Sequence, residues 1–155
     1  LGTQSFANTQ FQEAIGYFNQ SIALGQYNLQ TKADAIYWRG ESYYRLNRMQ
    51  EAAAYLEGEH DFKSFCQTGA QVESTVRTIY SVEVEEQGEN DLVIRVCGNG
   101  FLFNMVRIIA GTLLDIGQGK RDPMDIFTIL EAKDRSAAGP TAPAHGLTLV
   151  KYEFL

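Results

Sequence analysis

The sequence predicts an α+β fold in two parts: a helical-repeat segment over residues 1–50, packed on a unit of residues 51–155 in which helices lie on one face of an antiparallel sheet. Three observations carry this. A block of residues recurs 38 positions later within the first third of the chain. Two alternating stretches flank a Gly-containing turn in the middle. Asn99 to Leu114 then reads as a loop feeding a helix that is apolar on nearly every side, with Arg107 at its centre. Such a helix belongs in a core, and a guanidinium is rarely buried without a partner.

In chain order, Phe11-Gln12-Glu13-Ala14 recurs as Met49-Gln50-Glu51-Ala52, and Gly2 as Gly40. Small residues at these points let paired helices pack closely. Phe11, Ile15, Phe18 and Ile22 repeat at helical spacing. Ile36, Tyr43 and Leu46 do the same in the next helix, with Tyr37, Trp38 and Tyr44 beside them. A lengthened turn, Gly25 to Lys32, separates the two. Met49 to Ala53 reads as a further helix start, continuing to Leu56 and stopped by Gly58. Glu59 to Cys66 is a loop. Ser74 to Glu85 alternates as a half-buried strand (Val76, Thr78, Tyr80, Val82, Val84), Glu86 to Asn90 turns, and Asp91 to Cys97 returns. The apolar helix ends at Gly117-Gln118-Gly119-Lys120. Asp122-Pro123 starts another helix, with Asp as N-cap and Pro in its first position. After the loop Asp134 to Gly146, Leu147 to Leu155 alternates as a final strand. The expected core is Phe62, Val76, Ile79, Val82, Ile94, Val96, Phe103, Val106, Ile109, Leu113, Ile126, Leu130, Leu147 and Leu149.

Composition narrows the function classes. The chain is 45% hydrophobic and 12% aromatic, with no apolar run near the ~20 residues a membrane span needs. Leu1-Gly2-Thr3-Gln4 lacks the basic start of a signal peptide. Cys66 and Cys97 are isolated, which argues against a disulfide framework and fits a reducing, cytoplasmic setting. His60 and His145 are the only histidines and form no pair at metal-ligand spacing, so no metal site is expected. The formal charge of −6 argues against nucleic acid, but its distribution is uneven. Glu83, Glu85, Glu86, Glu89 and Asp91 concentrate acid in the hairpin. Arg107, Lys120, Arg121, Lys133 and Arg135 concentrate base in the last third, where a local basic face can hold phosphates. Two readings of Arg107 stand at this point: a structural arginine that snorkels or bridges, or a cation awaiting a carboxylate from elsewhere.

The first segment resembles the tetratricopeptide repeat family through Gly40, Tyr43, Tyr44, Asn47, Glu51 and Ala52. That resemblance implies a helical scaffold for binding a protein partner. One and a half repeats make no groove, however, so packing against the neighbouring unit is the favoured expectation.

From about Met49 to the end, five ordered motifs are similar to the C-terminal part of the tRNA pseudouridine synthase A family. They are Gly58-Glu59-His60-Asp61-Phe62, Val76-Arg77-Thr78-Ile79, Asn99 to Arg107, Ala132-Lys133-Asp134-Arg135 and Gly146-Leu147-Thr148-Leu149-Val150. The resemblance implies isomerisation of uridine to pseudouridine in the anticodon arm of tRNA by a catalytic aspartate, with no cofactor and no metal. It matches Arg107 to the arginine that pairs with that aspartate, and Leu147 to the apolar residue near the target base. Lys133 and Arg135, with Lys120 and Arg121, become RNA-binding candidates. The family's aspartate motif, Arg-Thr-Asp-x-Gly-Val-His, does not occur in these residues. Asp61, Asp91, Asp115, Asp122, Asp125 and Asp134 all read as loop, turn or cap residues. The chain therefore reads as a hybrid that carries active-site support without a catalytic residue, inactive alone. Weak tRNA binding, self-association, and completion by a partner chain across the uncovered surface are its expected interactions.

Overall fold

The computed structural model describes residues 11–23, 29–87 and 91–153. Gly2, residues 25–28 of the turn expected over Gly25 to Lys32, and residues 88–90 of the turn expected over Glu86 to Asn90 lie outside them; Leu29 to Lys32 are helical and Glu86 and Gln87 belong to a strand instead. Helix α1 (Phe11–Ala23) buries Ala14, Ile15 and Phe18, with Ile22 packed beside them. These positions form one helical face, which lies against helix α2 (Leu29–Ala54).

Helix α2 runs without interruption through Asn47, Arg48 and Met49. The helix start expected at Met49 is not a start. No glycine or proline lies between Gly40 and Gly58, and Arg, Leu, Met, Gln, Glu and Ala are good helix formers. The helix also crosses the boundary that the sequence suggests at residue 50. Leu46, Met49, Ala52 and Ala53 are all buried in the main core. Arg45 Nη1 donates to the Gln118 carbonyl at 3.0 Å and Arg48 Nη2 to the Arg121 carbonyl at 2.9 Å. The second half of α2 is thus fastened to the segment that follows the apolar helix.

Strands β1 (Gly58–Asp61), β2 (Val76–Gln87) and β3 (Asp91–Gly98) form an antiparallel sheet in the order β1-β2-β3. Asp61 pairs with Val76, and Gln87 with Asp91. The register shifts between Ile79 and Ser81, so Tyr80 is an extra residue opposite β3. A bulge of this kind reverses which face alternate residues occupy. Ile79 points inward before it, and Val82 and Val84 after it, while Val76 and Tyr80 are exposed. Val76 therefore leaves the expected core.

Helix α3 (Met105–Gly117) is the apolar helix. It buries Met105, Ile108, Ile109, Leu113 and Ile116 completely. Helix α4 (Asp125–Ala132) begins three residues later than Asp122. Asp122 still organises its entry: the carboxylate accepts from Met124 N at 3.0 Å and the carbonyl from Asp125 N at 3.0 Å. Ile126, Ile129 and Leu130 point inward as expected.

Two further expectations fail. Residues 147–153 form no strand, and Leu147, Leu149, Val150 and Tyr152 are exposed. Alternation marks a face, but a strand exists only with a ladder partner, and none of the described residues supplies one. Phe103 is 59% exposed because it lies in the loop before α3, where its carbonyl rather than its ring is used, accepting from Gln67 N at 3.0 Å. Met49, Leu56, Phe65 and Met105 fill the core instead. No described helix is long and apolar enough to cross a membrane.

Candidate functional site

Arg107 lies in the first turn of α3, half-buried, and its setting begins with Asn104. That residue precedes the helix in the left-handed conformation (φ 59°, ψ 10°), which asparagine tolerates better than most residues. Its carbonyl accepts from Ile108 N at 3.0 Å and starts the helix. Its side-chain Oδ1 accepts from Arg107 Nη1 at 2.9 Å. On the other side, Arg107 Nε donates to the Ala142 carbonyl at 2.7 Å, and Ala142 N donates to the Arg107 carbonyl at 3.0 Å. Both acceptors are neutral. Among the described residues Arg107 has no carboxylate partner, and Nη2 makes no hydrogen bond. A guanidinium has five N–H donors in a rigid fork. Here the fork is anchored while no described residue compensates its charge.

The strap that carries Ala142 lies directly on α3. A Cβ on Gly111 would fall 1.8 Å from the Pro140 carbonyl oxygen, and one on Gly139 would fall 2.7 Å from Thr112 Cα, so only glycines allow this approach. Thr112 Oγ1 accepts from Gly139 N at 2.9 Å and donates to the Ile108 carbonyl at 2.8 Å. Arg135 holds the same strap through the Gly139 carbonyl (2.9 Å) and Thr141 Oγ1 (3.0 Å). Arg121 Nη1 donates to the Ala137 carbonyl at 2.8 Å, and its Nε lies 3.7 Å from Asp115. Two of the RNA-binding candidates therefore direct donors to backbone carbonyls of the strap that positions Arg107.

Lys133 caps α4 with a left-handed backbone (φ 50°) and places Nζ 3.1 Å from Asp61 Oδ2. The Thr75 hydroxyl hydrogen-bonded to Asp61, assisted by Lys133 and the Lys63 N–H, holds that carboxyl below its usual value. Lys120 is the most solvent-exposed of the four candidates, with Nζ 3.3 Å from Asp115 Oδ1. Leu147 follows a short 3-10 turn (Ala144–Gly146), donates its N–H to the Ala144 carbonyl at 3.0 Å, and is 53% exposed. It lies five residues beyond the Ala142 contact, on the same strap.

The aspartates with described side chains are occupied elsewhere. Asp61 pairs with Lys133, Asp115 with Lys120 and Arg121, and Asp122 with Arg48 at 3.5 Å. Asp125 Oδ2 accepts from Asp122 N at 2.9 Å. Asp134 caps the turn Arg135–Ala137 through Ser136 N at 2.9 Å, a bond that lowers its pKa. Sequence reasoning missed Asn104, Ala142, Gly111 and Thr112. The one available signal was a glycine inside the helix together with a Gly-Pro pair in the later loop.

With this geometry in view, the comparisons with known proteins are specific. A family profile described as tRNA pseudouridine synthase matches residues 52–154. The chain is 57% identical to the tRNA pseudouridine synthase A of Anoxybacillus flavithermus over 101 residues, covering 65% of this chain and 41% of that protein. It is 56% identical to the Geobacillus kaustophilus protein of the same name over 110 residues, covering 70% and 42%. It is 56% identical to that of Bacillus subtilis over 108 residues, covering 68% and 43%. The chain thus spans about two fifths of the length of these relatives.

Proposed function

Because the chain belongs to the tRNA pseudouridine synthase family, we propose that residues 52–154 supply the arginine-bearing side of a cleft in which uridine of a tRNA is isomerised to pseudouridine. The reaction breaks the N1–C1′ bond and forms the C5–C1′ bond; C5 loses its proton to solvent and N1 takes one up, so the product is an isomer of the substrate. Arg107 orients and keeps ionised a catalytic carboxylate that none of the described residues places beside it. An adjacent guanidinium lowers a carboxyl pKa and fixes its plane. Leu147 offers an apolar wall to a uridine turned out of its stack. The observation that carries this reading is the anchored fork of Arg107, whose charge no described residue compensates and whose Nη2 none of them accepts from.

The test is complementation. The chain is mixed with the separately produced part of the Bacillus subtilis relative that this chain does not match, and tritium release from 5-tritiated uridine in unmodified tRNA is followed. Release by the mixture that Arg107→Ala abolishes is the expected result. A mixture whose release is unchanged by Arg107→Ala overturns the role given to this residue.

A second reading, a repeat-type interaction scaffold, draws support from Ile36 and Tyr43, which lie two turns apart on α2 and are exposed. Sedimentation with and without Ile36→Ser and Tyr43→Ser tests it. Self-association lost on substitution favours this reading, and a monomer in both forms counts against it.

A further inference from the structure

We propose that Asn104 is a positioning residue for Arg107, one jaw of a neutral clamp whose other jaw is the Ala142 carbonyl. The proposal rests on the reading of Arg107 as the partner of a catalytic carboxylate, and it adds how that partner is aimed. A residue directly before a helix ordinarily has extended backbone and turns its side chain onto the N–H groups of the first turn. Asn104 does neither. It is left-handed and makes no side-chain cap bond. Its Oδ1 reaches Arg107 Nη1 instead, three residues along the same helical face. The Ala142 carbonyl takes Nε from the other side. These two bonds fix the plane of the guanidinium, and among the described residues three of its five N–H groups have no acceptor, including both on Nη2.

The chemistry of the clamp matters as much as its geometry. A carboxylate in either position would orient Arg107 equally well but would neutralise it, leaving less charge for an incoming anion. Amide and carbonyl oxygens orient without neutralising. The left-handed turn places the amide at this point, and the strap held by Arg121, Arg135 and Thr112 places the carbonyl.

The experiment uses the purified 155-residue chain without RNA, so its outcome is independent of complementation. Side-chain NMR at low temperature and mildly acidic pH resolves the Arg107 Nε–Hε signal and the Nη1 protons. In the parent chain, slow rotation about Cζ–Nη1 keeps two Nη1 proton signals apart, and Hε is protected from exchange. Asn104→Gly retains the left-handed turn and removes only the acceptor. The two Nη1 signals then merge while Hε stays protected and the α3 backbone amides keep their shifts, a pattern a merely structural role would not give. Asn104→Asp keeps the signals apart and moves them downfield. Separate Nη1 signals in Asn104→Gly, or merged signals in the parent chain, overturn the proposal. Should Asn104→Gly not fold, merged signals in Asn104→Asp overturn it equally.

Discussion

Gly111→Ala tests the contact on which the site depends. The substitution adds one methyl group to α3 facing the strap. Its Cβ would fall 1.8 Å from the Pro140 carbonyl oxygen and 2.8 Å from the carbonyl carbon, and the obstacle is backbone. The strap must retreat by roughly 1.5 Å to reach ordinary contact. Three hydrogen bonds span that gap: Gly139 N to Thr112 Oγ1, Ala142 N to the Arg107 carbonyl, and Arg107 Nε to the Ala142 carbonyl. At about 1 kcal/mol net for each bond, their loss costs about 3 kcal/mol. Alanine in place of glycine within a helix returns about 1 kcal/mol. The expected net loss is about 2 kcal/mol, or about 4–8 °C in Tm for a chain of this size. Thermal melts and urea titrations of the purified chain read the loss, and the Arg107 Hε signal should lose its protection in parallel. If helix propensity alone acted, the variant would instead be stabilised by about 1 kcal/mol. Equal or higher stability with Hε still protected would refute the reasoning.

Gly117→Ala is a matched control. There the added Cβ meets Met49 Sδ at 2.4 Å and Cγ at 2.8 Å, a flexible side chain that can rotate away; melts should show a smaller loss than Gly111→Ala, and a larger one would contradict the close packing assigned to the strap. Ser64→Ala removes a fully buried hydroxyl that donates to the Ile129 carbonyl and accepts from Asp134 N; the orphaned groups should lower stability by about 1–3 kcal/mol in urea titrations, and a neutral result would mean these groups find other partners. Asp61 is held below its usual pKa of 3.8 when folded, chiefly by the Thr75 hydroxyl. Its contribution is therefore complete above that value and lost as pH falls through the lower folded one. Melts between about pH 5 and about pH 2 should show a shallower acid loss for Asp61→Asn than for the parent chain, and identical slopes would contradict the Asp61 network.

The legible parts of the fold were those written in local pattern. The hairpin, the apolar helix and the inward face of α4 follow from periodicity; Val82 and Val84, Ile109 and Leu113, and Ile126, Ile129 and Leu130 point inward as expected, whereas Val76 is exposed and Val106 only half-buried. The bulge at Tyr80 was not legible, because it changes the phase of the alternation without changing the residue types. The final strand fails for a different reason: alternation from Leu147 marks a face, but none of the described residues pairs with it in a ladder. At the site, Arg107 stood out as a cation in an apolar helix, but its partners did not. A backbone carbonyl such as that of Ala142 has no signature in residue type, and Asn104 acts through a backbone conformation that sequence shows only as a tolerance. Clustered Lys and Arg suggested phosphate binding. What residue type did not show is that Arg121 and Arg135 direct donors to strap carbonyls that only the folded chain brings within reach.

The most direct measurement is tritium release from 5-tritiated uridine in unmodified tRNA by the purified chain alone. No release is expected, since none of the aspartates with described side chains pairs with Arg107 and each has a partner of its own. Release that disappears when one of these aspartates is changed to asparagine would contradict the division of the cleft proposed for this chain and would identify that residue as its catalytic carboxylate.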